Sequence, residues 1–138
     1  MLPIGDLAKQ SGVKIPTIRY YETIGLLPEP ARSEGNRRLY PPEAVRRLKF
    51  IRHARELGFD IEAIRRLAQM AQHPGEPCCE ADRLAQLRLV EIEDKIAKLA
   101  AQRDELLRMI GDCAHGRVAD CRVIDVLDDH AKCLHPEH

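Results

Sequence analysis

Residues 3–27 read PIGDLAKQSGVKIPTIRYYETIGLL, and residues 28–40 continue as PEPARSEGNRRLY. Ile4, Leu7 and Ala8 share one face of a short helical pattern, which Ser11-Gly12 interrupts. Val13 then offers an apolar plug, and Pro16 stands in a first helical turn, where a missing amide hydrogen costs nothing. The pattern predicts a second helix over Pro16–Thr23, with Ile18 inward and Thr17, Arg19 and Tyr20 outward. Tyr20 and Tyr21 are each also suited to a core position, and the sequence leaves that choice open. Two short helices joined by a glycine-containing turn make a helix-turn-helix, whose second helix enters the major groove of DNA.

Outward from this stretch, Glu34-Gly35-Asn36 forms a turn signal between Arg32 and Arg37-Arg38-Leu39-Tyr40. This predicts a small hairpin, or wing, whose arginines can neutralise phosphates. Pro41-Pro42-Glu43 opens a further helix carrying Ala44, Val45, Leu48, Ile51 and Ala54 at helical spacing. Gly58 ends it, Asp60 is placed to cap the next helix, and Ile61, Ile64, Leu67 and Ala68 continue the core.

The formal net charge of the 138 residues is zero, but the zero conceals a division. Residues 1–72 hold 13 Lys and Arg against 8 Asp and Glu, whereas residues 73–138 hold 9 against 14. The first half is an electrostatic footprint for phosphate, and the second would be repelled by it. All five cysteines and five of the six histidines lie in the acidic half. No apolar run is long enough to span a membrane and no secretory leader is visible, so the expected location is the cytoplasm, where thiols stay reduced. An odd number of cysteines there argues for metal or redox chemistry over a disulfide framework.

From Asp82 to Ile110 there is neither Pro nor Gly. Ala85, Leu89, Ile92, Ile96, Leu99, Arg103, Leu106 and Ile110 recur at alternating spacings of four and three, a heptad seam interrupted at Arg103. Twenty-nine residues of helix extend about 43 Å, too far for a domain of some 70 residues to bury. Pairing with a second copy, antiparallel or parallel, is the economical solution, and a two-fold protein suits a palindromic operator.

After this helix comes GDCAHGRVADCRVIDVL, residues 111–127, in which Cys113 and Cys121 flank His115. Before it stand Cys78 and Cys79, and the last residues, DDHAKCLHPEH, add His130, Cys133, His135 and His138. Such a tail can bind metal and can pass it to the loop. Asp112 and Asp120 read as loop caps.

The words IGDLAKQSGVKIPTIRYYETIGLLPEPARSEGNRRLY, LKFIRHARELGF and DKIAKLAAQRDELLRMIGDC, in this order, resemble the MerR family of metal-responsive transcription regulators over nearly the whole chain. Carried over by position, the resemblance implies that Thr17, Arg19 and Tyr20 on the recognition helix, with Arg38 and Tyr40 on the wing, contact DNA; Arg37, basic and beside them on the wing, is a further candidate contact. It implies a homodimer on double-stranded promoter DNA, working with RNA polymerase, that bends and untwists the DNA when its effector binds; such indirect readout is worth a few kcal/mol. It also marks Cys113 and Cys121 as the metal-loop pair and, in members that sense divalent ions, a partner-chain cysteine at the head of the dimer helix. Cys78 lies 35 positions before Cys113 and matches that place, with Cys79 as the neighbouring candidate.

Three thiolates with His115 as a fourth ligand fit the tetrahedral preference of Zn(II), and also admit Cd(II) or Pb(II). The alternative is a Cu(I), Ag(I) or Au(I) response through Cys113 and Cys121 alone, which the loop length resembles. A thiol redox sensor is a second alternative. An enzyme is not expected, because no nucleophile, base and orienting group stand together and no phosphate-binding glycine loop is present. A metal-storage protein would have no use for a DNA reader. The expected architecture is therefore mainly α. A winged helix-turn-helix domain (1–72) and a linker (73–81) lead to a long antiparallel coiled-coil dimerisation helix (82–110), then a C-terminal metal-binding loop with a short helix (111–127) and a Cys/His tail (128–138).

Overall fold

A computed structural model describes residues 1–112 and 116–138. It divides into two units, Met1–Leu84 and Ala85–His138.

In the first unit, strand β1 (Leu2–Pro3) leads into helix α1 (Ile4–Ser11), a turn, and helix α2 (Ile15–Thr23). Gly12 makes the turn in the left-handed region at φ 74°, its amide donating to the Ala8 carbonyl at 2.9 Å. Glycine adopts that conformation without a Cβ clash. The Ser11 hydroxyl accepts from the Val13 amide, and Val13 is buried as the plug its position suggested. Strands β2 (Ala31–Arg32) and β3 (Arg38–Tyr40) form the wing, antiparallel with Arg32 opposite Arg38. The wing is wider than a hairpin: β1 joins the other edge of β3, pairing Leu2 with Tyr40 and Pro3 with Leu39, in the order β1-β3-β2.

Helices α3 (Glu43–Glu56) and α4 (Ile61–Ala71) close the unit. Asp60 caps α4, its carboxylate accepting from the Ala63 amide at 2.8 Å. Leu7, Ile18, Tyr21, Leu26, Leu48 and Ile64 belong to one continuous core drawn from all four helices and the turn after α2. Truncating one such leucine to alanine costs about 2–5 kcal/mol.

Helix α5 runs from Cys79 to Gly111, 33 residues, roughly 50 Å at the usual rise. It starts three residues earlier than the sequence pattern suggested, shortening the linker. Glu80 and Asp82 suit the positive end of the helix, and Arg83 holds Glu80 through two bonds of 2.7 and 3.0 Å. Along α5, the seam residues Leu89, Ile96, Leu99, Leu106 and Ile110 are each more than half exposed in the single chain.

In the second unit, the end of α5 is followed by a 3-10 turn (Val118–Asp120), helix α6 (Arg122–Asp128) and a second 3-10 turn (His130–Lys132). Met109 and Val126 are buried here, together with the carboxylate of Glu105. No helix among the described residues is long and apolar enough to cross a membrane.

Candidate nucleic-acid interface and metal-binding loop

On α2, Ile18 and Tyr21 face the core while Arg19 and Tyr20 face solvent and Thr17 is half-buried. The two adjacent tyrosines thus divide: Tyr21 is 7% exposed and Tyr20 53%. Lys14, the residue preceding α2, is exposed as well. The tip of the wing is tied internally. The Ser33 amide donates to the Arg37 carbonyl, the Asn36 amide to the Ser33 carbonyl, and Arg32 reaches the Asn36 carbonyl at 3.2 Å. Asn36 takes φ 61°, which asparagine tolerates better than most residues. Arg37 is exposed beside this tip.

Arg38 and Tyr40 stand differently. Arg38 is half-buried with its Nε 3.3 Å from Glu22 Oε2, and Tyr40 donates its hydroxyl to Glu22 Oε1. Tyr40 is 1% exposed. Expected on the wing as a DNA contact, it is a core residue whose ring completes the unit's interior and whose hydroxyl ties β3 to α2. The alternation of a strand sends Leu39 and Tyr40 to opposite faces, and Tyr40 has the inner one.

Further basic residues of this half reach backbone carbonyls. Arg47 donates to the Leu26 carbonyl at 3.1 and 3.2 Å and to the Ala68 carbonyl at 3.4 Å; burial lowers its pKa from the ordinary arginine value. Arg52 donates to the Ser11 carbonyl and Arg65 to the Ile24 carbonyl at 2.8 Å. These arginines satisfy carbonyls at the C-terminal ends of α1 and α4 and just after α2, where helices leave acceptors orphaned. Nothing in their local spacing announced this, since each partner lies at least 21 residues away.

In the second unit, Cys121 is half-buried at the junction between the first 3-10 turn and α6; its amide donates to the Val118 carbonyl and its carbonyl accepts from the Asp125 amide, both at 3.0 Å. Cys113 and His115 lie outside the described residues. Their flank is informative: Asp112, next to Cys113, pairs with Arg122, next to Cys121, at 3.8 Å. Arg122 also holds Asp125 at 3.0 Å. In the first unit, Cys78 and Cys79 are both exposed, and the Cys78 carbonyl accepts the first helical bond of α5, from the Asp82 amide. Cys78, Cys79, Cys121 and Cys133 are free thiols.

A family model described as MerR HTH family regulatory protein matches residues 2–71, and a second, described as MerR, DNA binding, matches residues 45–109. The HTH-type transcriptional regulator ZntR of Escherichia coli strain K12 is 40% identical over 135 residues, covering 95% of each chain. The chain belongs to the MerR family. Other MerR relatives agree. The HTH-type transcriptional regulator CueR of Salmonella typhi is 34% identical over 132 residues, covering 96% of this chain and 94% of that one. The crystal structure of the transcription regulator PbrR691 from Ralstonia metallidurans CH34 in complex with lead(II) superposes with a TM-score of 0.79 at 35% identity, over 92% of this chain and 99% of that chain. MerR relatives of this chain are transcriptional regulators and not enzymes. Glu22, absent from the expected contacts, is the residue that sequence reasoning missed in this MerR domain. A lone glutamate near the end of an exposed helix carries no local signal of the wing strand it will meet.

Proposed function

We propose that this chain is a metal-responsive transcriptional activator that binds promoter DNA as a homodimer. Thr17, Arg19 and Tyr20 meet the major groove, and Arg37 with Arg38 meets the backbone beside it. The protein is read as a regulator whose effector is Zn(II), with Cd(II) and Pb(II) as further inducers, held by Cys113, Cys121, His115 and either Cys78 or Cys79 of the partner chain. Binding bends and untwists the promoter for RNA polymerase.

The observation that carries the reading is where the cysteines fall on α5. A 33-residue helix with an exposed apolar seam begins at Cys79 and ends two residues before Cys113. Antiparallel pairing of two such helices sets the start of one beside the end of the other, which joins a thiolate of one chain to the loop of its partner. The Asp112–Arg122 pair supports the loop half of the site, because it draws together the sequence neighbours of Cys113 and Cys121. Three thiolates and an imidazole are a tetrahedral donor set for a borderline divalent ion. A relative 35% identical to this chain was crystallised with lead(II), a divalent ion.

The test is transcription from the protein's own promoter with purified RNA polymerase, titrating Zn(II), Cd(II), Pb(II) and Cu(I) at buffered free concentrations. Activation by the divalent ions, lost in C78A/C79A, is the expected result. A response to Cu(I) alone overturns the divalent assignment in favour of a linear Cys113–Cys121 pair. Activation by oxidants in chelator-treated protein assigns a thiol switch instead.

A further inference from the structure

We infer that His130, Cys133 and His138 form a second metal site, separate from the loop and suited to a borderline divalent ion such as Zn(II) or Co(II). Their ligand atoms all lie within 4.8 Å of one another. An ion about 2.0–2.1 Å from each imidazole nitrogen and about 2.3 Å from sulfur holds its donors roughly 3.3–3.7 Å apart, so closing the set takes a shift of about one ångström.

The local fold explains why these three meet. His130–Lys132 is a 3-10 turn capped by Asp129, whose carboxylate accepts from the Ala131 amide, and the Cys133 amide donates back to the His130 carbonyl at 3.0 Å. In 3-10 geometry residues three apart eclipse, which stacks His130 and Cys133 on one side. The chain then turns back, bringing the rings of His130 and His138 to 5.2 Å between centroids.

The tail is tethered to the second unit from both sides of Cys133. Arg108 donates to the Lys132 carbonyl, and the His135 amide donates to the buried carboxylate of Glu105. Lys132 also holds Asp125 at 2.6 Å. His135, a tail histidine that composition alone would count as a ligand, is engaged elsewhere: its Nε2 is 3.2 Å from Asp104 Oδ2. The donor set is thus two imidazoles and one thiolate with a fourth position for water. Two nitrogens and one sulfur favour zinc-like ions over the linear dithiolate chemistry of Cu(I).

Co(II) absorption and Zn(II) competition on the reduced full-length protein test this. The wild type should bind about one equivalent per chain more than H130A/C133S/H138A. C133S should lose the cobalt–thiolate charge-transfer intensity of that equivalent, whereas H135A should keep it. C78S/C79S/C113S/C121S, which removes the proposed sensor thiolates, should retain the tail equivalent, so the two sites fail or stand separately. Equal stoichiometry in the wild type and the triple variant overturns the inference, as does loss of the same equivalent in H135A.

Discussion

Glu22 and Arg38 stand 3.3 Å apart, joining the last turn of the recognition helix to the inner strand of the wing, and Tyr40 adds its hydroxyl to the same carboxylate. The Glu22 side chain is 12% exposed. A carboxylate so placed sets the angle between α2 and the wing, the two parts proposed to face DNA. Glu22→Ala should cost about 1–2 kcal/mol, discounted for the partial exposure of Arg38, and should weaken promoter binding. Denaturant unfolding and fluorescence anisotropy check the two effects; a variant with native stability and native affinity would remove Glu22 from this role.

The inward and outward arginines should separate in salt titrations. Arg37→Ala should lower the slope of log affinity against log salt by about one phosphate contact with little change in stability. Arg47→Ala should leave the slope unchanged and cost about 1–2 kcal/mol, because the Leu26 and Ala68 carbonyls lose their donor.

Gly12 is held by its backbone conformation more than by its surroundings. A Cβ there would sit 2.2 Å from the Arg52 guanidinium on a backbone at φ 74°. Gly12→Ala should destabilise by at least about 1 kcal/mol. A double-mutant cycle with Arg52→Ala separates the causes: the Arg52 guanidinium is the mobile end of a half-exposed side chain and can move aside, so most of the loss should remain with the backbone strain.

The hold on the tail should be pH-dependent at the acid end. The Lys132 ammonium hydrogen-bonded to Asp125 lowers that carboxyl below its ordinary value, with Arg122 adding to the effect. A depressed folded pKa means the contribution is present above the unfolded value, about 3.9, and is lost as pH falls through that value toward the folded one. Amide exchange in residues 129–135, followed from neutral pH into the acid range and corrected for intrinsic exchange, should show this loosening, and Asp125→Asn should weaken its pH dependence, leaving the part carried by the Glu105 and Asp104 contacts to His135.

What the sequence by itself determined is local in origin. Gly12, Pro16, the Glu34-Gly35-Asn36 turn and the Asp60 cap act on their immediate neighbours, and the apolar period of α5 is a property of one helix. The helix-turn-helix, the wing and the long helix were therefore legible, as were the cysteines at the ends of that helix. Tertiary structure alone decided how chemically similar residues are used. It sent Tyr21 inward and Tyr20 outward, placed Tyr40 in the core, added β1 to the wing, and gave Arg47, Arg52 and Arg65 backbone carbonyls as partners. It also separated His135 from the other tail histidines by offering it Asp104. The physical reason is common to all of these. An arginine or a histidine is satisfied by whichever acceptor the fold brings within hydrogen-bond reach, and for Arg52, Arg65 and His135 that acceptor lies 31 to 41 residues away along the chain.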